Sequence, residues 1–88
     1  MQVSWKYKLP QKVNVIFLPE DYSISKIIEK DGSPYIVCNV ETKNKVNKRV
    51  FEVLPENAKS PEDRMKRKLI GNIKIKNKSI KIFEITGD

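Results

Sequence analysis

The chain has 88 residues, of which 39% are hydrophobic and 33% are charged, and its formal net charge is +7. A chain this short builds one hydrophobic core, so we expect a single domain over residues 1–88. It has no apolar run near the ~20 residues that span a bilayer and no signal-peptide core, which predicts a cytoplasmic protein with no membrane partner. The single cysteine, Cys38, excludes an intramolecular disulfide, and its place in YIVCNV predicts a small buried side chain.

Apolar and polar residues alternate in the first two segments, which is the pattern of β-strands. In SWKYKLP, Trp5, Tyr7 and Leu9 share one face, and we expect that face to pack on the core while the lysines face water. The alternative is that Trp5 or Tyr7 stacks on a ligand at a sheet edge. In KVNVIFL, three apolar residues share one strand face: Val13, Val15 and Phe17.

Two hairpins are predicted further along the chain. The pair Asp31-Gly32 is a strong hairpin signal, so Ser25–Lys30 and Tyr35–Glu41 are expected to pair. TKNKVNKR is interpreted as a hairpin tip, after which alternation resumes over residues 49–54. LIGNIKIK and SIKIFEI form the last predicted hairpin, with its turn at residues 77–78.

One segment, ENAKSPEDRMKRK, breaks the strand pattern. Ser60 suits a helix N-cap and Pro61 the first helical position, which predicts at most one short helix near residues 61–67. The whole pattern predicts an all-β fold: a small antiparallel meander that forms a compact barrel or a two-sheet sandwich.

The residues that most enzymes need are missing from the sequence. There is no histidine, one cysteine and no glycine-rich phosphate loop, so triads, zinc sites and nucleotide-hydrolysing motifs are excluded. The paired acids Glu20-Asp21 and Glu62-Asp63 lie in turn and capping patterns. We therefore expect a binding protein rather than an enzyme, with no cofactor and no metal.

The positive charge belongs to the second half of the chain, because residues 1–41 have five lysines and five acids. Two basic segments are candidate phosphate contacts: Lys43, Lys45, Lys48 and Arg49 in the first, and Arg64, Lys66, Arg67 and Lys68 in the second. Two explanations stay open. The lysines either form an anion site or reflect the composition of a low-GC genome on a solvated surface.

Several motifs resemble a family of small uncharacterised phage and prophage proteins that begin W-K-Y-x-L-P. These are WKYKLP, KDGSPYIVCNV, KRVFEV, LIGNIK and IKIFE, and the resemblance covers nearly the whole chain. The chain departs from the family in having no tryptophan in residues 35–40. Residues 54–57 replace a Gly-Thr-Gly-His-like segment, so no role of that segment carries over.

The resemblance implies a viral protein in the cytoplasm of a bacterial host, often encoded among accessory genes. Such phage proteins frequently act against host defence, by sequestering a nucleotide second messenger or by occupying a host protein. Our leading hypothesis is an anti-defence sponge, a homo-oligomer that binds an anionic nucleotide. The alternatives are sequence-independent nucleic-acid binding through the basic C-terminal half, and direct inhibition of a host defence protein.

Overall fold

The computed structural model describes residues 1–58 and 66–87, which form seven strands in two antiparallel sheets. The strands are β1 (Gln2–Lys8), β2 (Val13–Pro19), β3 (Ser23–Lys30), β4 (Ser33–Glu41), β5 (Val46–Pro55), β6 (Lys66–Ile75) and β7 (Lys78–Gly87). The predicted all-β fold is confirmed, in its two-sheet sandwich form. Among the described residues, no helix is long and apolar enough to cross a membrane.

The strand order differs from that of a simple meander. The first sheet has the order β1-β4-β3 and the second has the order β2-β5-β7-β6. Consecutive strands pair in the β3–β4 and β6–β7 hairpins, whereas the chain passes from one sheet to the other after β1, β2 and β4. The predicted hairpin tip TKNKVNKR is therefore wrong, since this segment leads from β4 in one sheet into β5 in the other.

Both paired hairpins turn through residues with positive φ. Asp31 and Gly32 have φ of 53° and 79°, which confirms the predicted turn. Lys76 and Asn77 have φ of 49° and 66°, so the second turn lies one residue earlier than predicted. Positive φ at both central positions matches the right-handed twist of the flanking strands.

The core lies between the two sheets and draws on both. On β4, every second side chain is fully buried: Ile36, Cys38 and Val40. Phe51 of β5 and Ile82 of β7 meet them from the facing sheet. The predicted burial of Cys38 is confirmed, and this burial raises the pKa of its thiol to about 11.

Strand β2 shows that alternation alone does not say which face is inside. Val13, Val15 and Phe17 share a face, but that face points to solvent, and Ile16 and Leu18 pack in the core instead. The inner face carries the only polar residue of β2, Asn14, which the alternation would place outside. Asn14 is instead buried and donates hydrogen bonds to the main-chain oxygens of Gln11 and Phe51.

The predicted short helix falls mostly outside the described residues, which leave out residues 61–65. Its last two positions, Lys66 and Arg67, belong to β6, so the helix prediction is wrong there. Pairing with β7 accounts for this, because Lys66 lies opposite Gly87 and Arg67 lies opposite Ile85. The final hairpin is thus longer than the alternation in the sequence indicated.

Candidate functional site: a groove between two sheet edges

A groove of about 950 Å³ lies between the two sheets, where β3 at the edge of one faces β6 at the edge of the other. Gly71 allows the two strands to approach. A Cβ on Gly71 would lie 2.8 Å from Cδ1 of Ile27, closer than side chains tolerate. The groove is therefore shaped by a glycine in β6 and a bulge in β3 between Ile24 and Lys26.

The floor of the groove is a buried carboxylate. Glu84 of β7 is 5% exposed, and its Oε1 accepts a hydrogen bond of 2.5 Å from the Tyr22 hydroxyl. Its Oε2 accepts hydrogen bonds from Nη2 of Arg49 and, at 3.0 Å, from Nε of Arg49. The guanidinium carbon of Arg49 lies 5.7 Å from the centre of the Tyr22 ring. Together these contacts satisfy the buried carboxylate and hold both partners in place.

These contacts determine the protonation of Tyr22 and Arg49 at the floor of the groove. Burial, followed by the hydrogen bond to Glu84, raises the pKa of Tyr22 to about 12, so the phenol is neutral at physiological pH. The hydrogen bond to Glu84 raises the pKa of Arg49, which remains a cation. The Arg49 side chain is 36% exposed, so part of the guanidinium faces the groove while the rest neutralises Glu84.

Strand alternation divides each predicted basic segment between two faces. On β5, Lys48 pairs with Phe17 on the outer face of the sheet, whereas Arg49 faces the groove. On β6, Arg67 lies on the outer face, where its Nε is 2.7 Å from a carboxylate oxygen of Glu52, and Lys68 lines the groove. One residue of each segment, Arg49 and Lys68, therefore reaches the same site.

The other predicted phosphate contacts do not join them. Lys43 and Lys45 are exposed in the connection between β4 and β5, and Lys66 is exposed at the start of β6. Arg64 lies outside the described residues. The basic segments are thus not one continuous surface within the described part of the chain.

Trp5 and Tyr7 lie away from the groove, because β1 and β3 are opposite edges of their sheet. Tyr7 packs against the core and Leu9 is 1% exposed, as expected of a core-facing strand. Trp5 remains 41% exposed, and its ring lies 6.3 Å from that of Tyr7 in an edge-to-face arrangement. The predicted stacking role of Trp5 and Tyr7 is thus separated from the Arg49–Lys68 site.

Sequence reasoning missed Tyr22 and Glu84, the residues that organise the floor. Tyr22 directly follows the paired acids Glu20-Asp21, whose pattern indicates only a turn. Glu84 carried a usable signal, since it follows Ile80 and Ile82 at positions that face the core. A carboxylate in a core-facing row needs a partner, and this signal favours a buried ion pair.

Charges of both signs line the groove. The positive side chains that face it are Arg49 and Lys68, and the negative residues along it are Glu20, Asp21 and Glu84. Lys26 borders the groove, but it lies opposite Val37 in the row that faces the outer side of its sheet. In the described part of the chain, no group of three or more Cys, Asp or Glu residues is placed to hold a metal ion. Because its lining combines cations with carboxylates, the groove offers both hydrogen-bond donors and acceptors to a ligand.

A second surface carries three lysines that have no acidic partner in the part of the chain that the structure describes. On the outer face of the three-stranded sheet, Lys6 and Lys26 flank Val37, which is 4% exposed, and Lys8 lies opposite Tyr35. Within residues 1–58 and 66–87, no carboxylate comes within ion-pair distance of Lys6, Lys8 or Lys26. Val37 lies between Lys6 and Lys26 in the sheet, where lysine stems can cover an apolar side chain while the ammonium groups stay in water.

No known protein family, curated protein or solved structure matches this chain. The resemblance to small phage proteins thus stays an expectation, and the chemistry of the two surfaces carries the functional proposals.

Proposed function

We propose that this protein binds a small anionic ligand of the nucleotide type in the groove between β3 and β6, and that it holds this ligand without converting it. The observation that supports the proposal is the meeting of Arg49 and Lys68, from separate basic segments, beside the buried Tyr22–Glu84 pair. A groove of about 950 Å³ is large enough for a nucleotide or a dinucleotide.

The positive and negative residues of the groove fix the orientation of a bound nucleotide. Lys68 and the exposed part of Arg49 offer charge-assisted hydrogen bonds to phosphate oxygens. Glu20 and Asp21 repel phosphate but accept hydrogen bonds from ribose hydroxyls and from base amino groups. An anion without donors uses only half of this lining, so a nucleotide fits better than inorganic phosphate.

The biological setting belongs to the same proposal. As the resemblance to phage accessory proteins implies, the ligand is a nucleotide signal of a host defence system, and the protein acts as a sponge. A sponge works by stoichiometry, because each occupied site removes one signal molecule and none is regenerated. Such a protein removes the signal through its high concentration and its slow release of the ligand, rather than through catalytic turnover.

The test is calorimetric titration with a panel of mononucleotides and cyclic dinucleotides, with an uncharged nucleoside as the reference ligand. Lys68→Gln is expected to weaken binding of the tightest nucleotide by about tenfold, the loss of one charge-assisted contact. Glu84→Gln is expected to tighten it, because Arg49 then loses its internal anion. Lys74→Gln changes an exposed lysine on the outer face of the same strand and serves as the matched control.

Two results would contradict the proposal. One is the absence of binding across the panel, and the other is an equal loss of affinity in Lys74→Gln and Lys68→Gln. Chromatography of the ligand recovered after long incubation checks the non-catalytic part, since a sponge returns the nucleotide unchanged.

A second candidate function is favoured by the outer face of the three-stranded sheet. Lys6, Lys8 and Lys26 have no acidic partner among the described residues and share an outer face with Tyr35. This arrangement suits single-stranded nucleic acid, with phosphates on the lysines and a base on the ring. This moves the nucleic-acid hypothesis from the C-terminal half to β1, β3 and β4. Binding should fall steeply with salt, and the double substitution Lys6→Gln with Lys8→Gln should flatten that slope by about 1.4. Salt-insensitive binding, or none at low salt, excludes this candidate.

A further inference from the structure

The edge strand β2 differs from the other edges of the sandwich. The two sheets have four edge strands, β1, β3, β2 and β6. β2 has the sequence VNVIFLP and carries no charge, although 33% of the chain is charged. The other three edges all carry lysines: Lys6 and Lys8 in β1, Lys26 and Lys30 in β3, and Lys66, Lys68 and Lys74 in β6. Charged edge residues are how β-proteins avoid pairing with other strands, so β2 alone lacks that protection.

The outward side chains of β2 are also apolar and large. Val13, Val15 and Phe17 are 49%, 54% and 62% exposed, and all three lie on the same face. On the neighbouring strand, Val50 lies directly opposite Val15, whereas Lys48 and Glu52 lie opposite Phe17 and Val13. An uncharged strand edge and an apolar face therefore coincide along one line of the molecule.

We propose that β2 pairs antiparallel with β2 of a second copy of this chain across a two-fold axis. The pairing joins the two four-stranded sheets into one sheet of eight strands. Because side chains alternate with a period of two, only registers that keep the three apolar residues on one face are compatible. The register centred on Val15 is the one that pairs all three, since it sets Val15 opposite the partner's Val15 and Val13 opposite the partner's Phe17.

A second copy is the occupant that the strand itself favours. β2 is self-complementary, because the two-fold axis brings apolar side chains together and opposes no charges. Pro19 has no N–H to donate, which limits the pairing to the residues before it. The three side chains can bury at most on the order of 300 Å² per copy, which is below a standard interface, so the dimer should be weak and concentration-dependent.

Sedimentation velocity over a concentration series up to about 500 µM tests the dimer directly. The net charge of +7 opposes association, so high salt should tighten the dimer, whereas it weakens a complex held by ion pairs. A wild-type protein that stays monomeric over the whole series overturns the proposal. Growth beyond the dimer overturns it too, because a two-fold pairing of β2 is closed.

Val15→Lys places two ammonium groups opposite each other at the axis and is expected to raise the dimer Kd at least ~100-fold. Ser4→Lys is the matched control, since Ser4 is exposed on β1, an edge strand of the other sheet, and lies outside the groove. Circular dichroism and thermal unfolding at low concentration confirm that both variants are folded. A Val15→Lys protein that dimerises like wild type refutes the interface.

Cysteine cross-linking tests the register. Val15→Cys should form a disulfide-linked dimer on mild oxidation, whereas Ser4→Cys on the exposed face of β1 should not. The native Cys38 does not compete, because it is fully buried. Equal cross-linking at both positions contradicts the register. Neither substitution touches the lining of the β3–β6 groove, so failure of the dimer and failure of nucleotide binding are distinguishable.

Discussion

Replacing Glu84 with glutamine is expected to lower the free energy of unfolding by about 2 kcal/mol. The carboxylate accepts hydrogen bonds from Tyr22 and Arg49, and its side chain is 6% exposed. Leaving a fully buried charge without its partner costs ~3–5 kcal/mol. The cost is smaller here, because Arg49 is 36% exposed and can turn toward water when its partner is lost. The glutamine side chain also still accepts the hydrogen bond from Tyr22. The loss of unfolding free energy is therefore near that of one charge-assisted hydrogen bond, ~1.5–3 kcal/mol.

Urea unfolding and thermal unfolding measure this loss, and a domain of this size should show a Tm lower by about 10 °C. Glu41→Gln is the control, because Glu41 pairs with the exposed N-terminal amine and its removal should leave the midpoint unchanged. A cycle with Arg49→Met isolates the coupling between Arg49 and Glu84. The reasoning is refuted if Glu84→Gln is as stable as Glu41→Gln, since the buried carboxylate would then not depend on its partners.

Cys38 is fully buried, and its pKa is raised to about 11, mainly by burial and secondly by the charge of Glu84. A thiol reagent at neutral pH should therefore react with Cys38 only at the rate of unfolding, and a fast reaction would contradict its burial. The pKa of Tyr22 is raised from 10.0 to about 12, so its stabilisation is complete below pH 10 and is lost as the pH rises toward 12. Phenolate absorbance should show this late titration, and Tyr22→Phe should remove part of the stability loss above pH 10; an ordinary titration for every tyrosine would contradict it. Gly71→Ala places a Cβ 2.8 Å from the end of the Ile27 side chain. This clash should lower the free energy of unfolding in urea by about 1 kcal/mol and narrow the groove enough to weaken nucleotide binding. Unchanged stability and binding would show that the groove has room for the methyl group.

Local patterns in the sequence predicted the strands and one turn well. Asp31-Gly32 tolerates positive φ at both positions, and this chemistry identifies a two-residue hairpin without knowledge of the rest of the fold. The all-β class follows in the same way from alternation and from proline at the ends of segments. These features depend on neighbours in the chain, which the sequence shows directly.

The sheet to which each strand belongs depends on distant residues instead. β4 pairs with β1 and β3, while β5 pairs with β2 and β7, and nothing within TKNKVNKR separates a hairpin tip from a passage between sheets. The outer face of β2 is a second example, since Val13 and Ile16 are equally apolar and only packing against the other sheet decides which is buried. Which sheet a strand joins and which of its faces is buried thus depend on the packing of the whole core.

The site itself follows from strand pairing around Glu84. Lys68 lies directly opposite Glu84 in β6, and Phe51 lies opposite Glu84 in β5. Arg49 is two residues before Phe51, so it shares the inner face and reaches the same carboxylate diagonally. Successive residues of a basic segment point to opposite faces of a strand. Basic residues that are adjacent in the sequence therefore do not all reach the same site. The proposed anion site therefore uses one cation of each segment, and position relative to Glu84, rather than the excess of +7, should decide which basic residues bind.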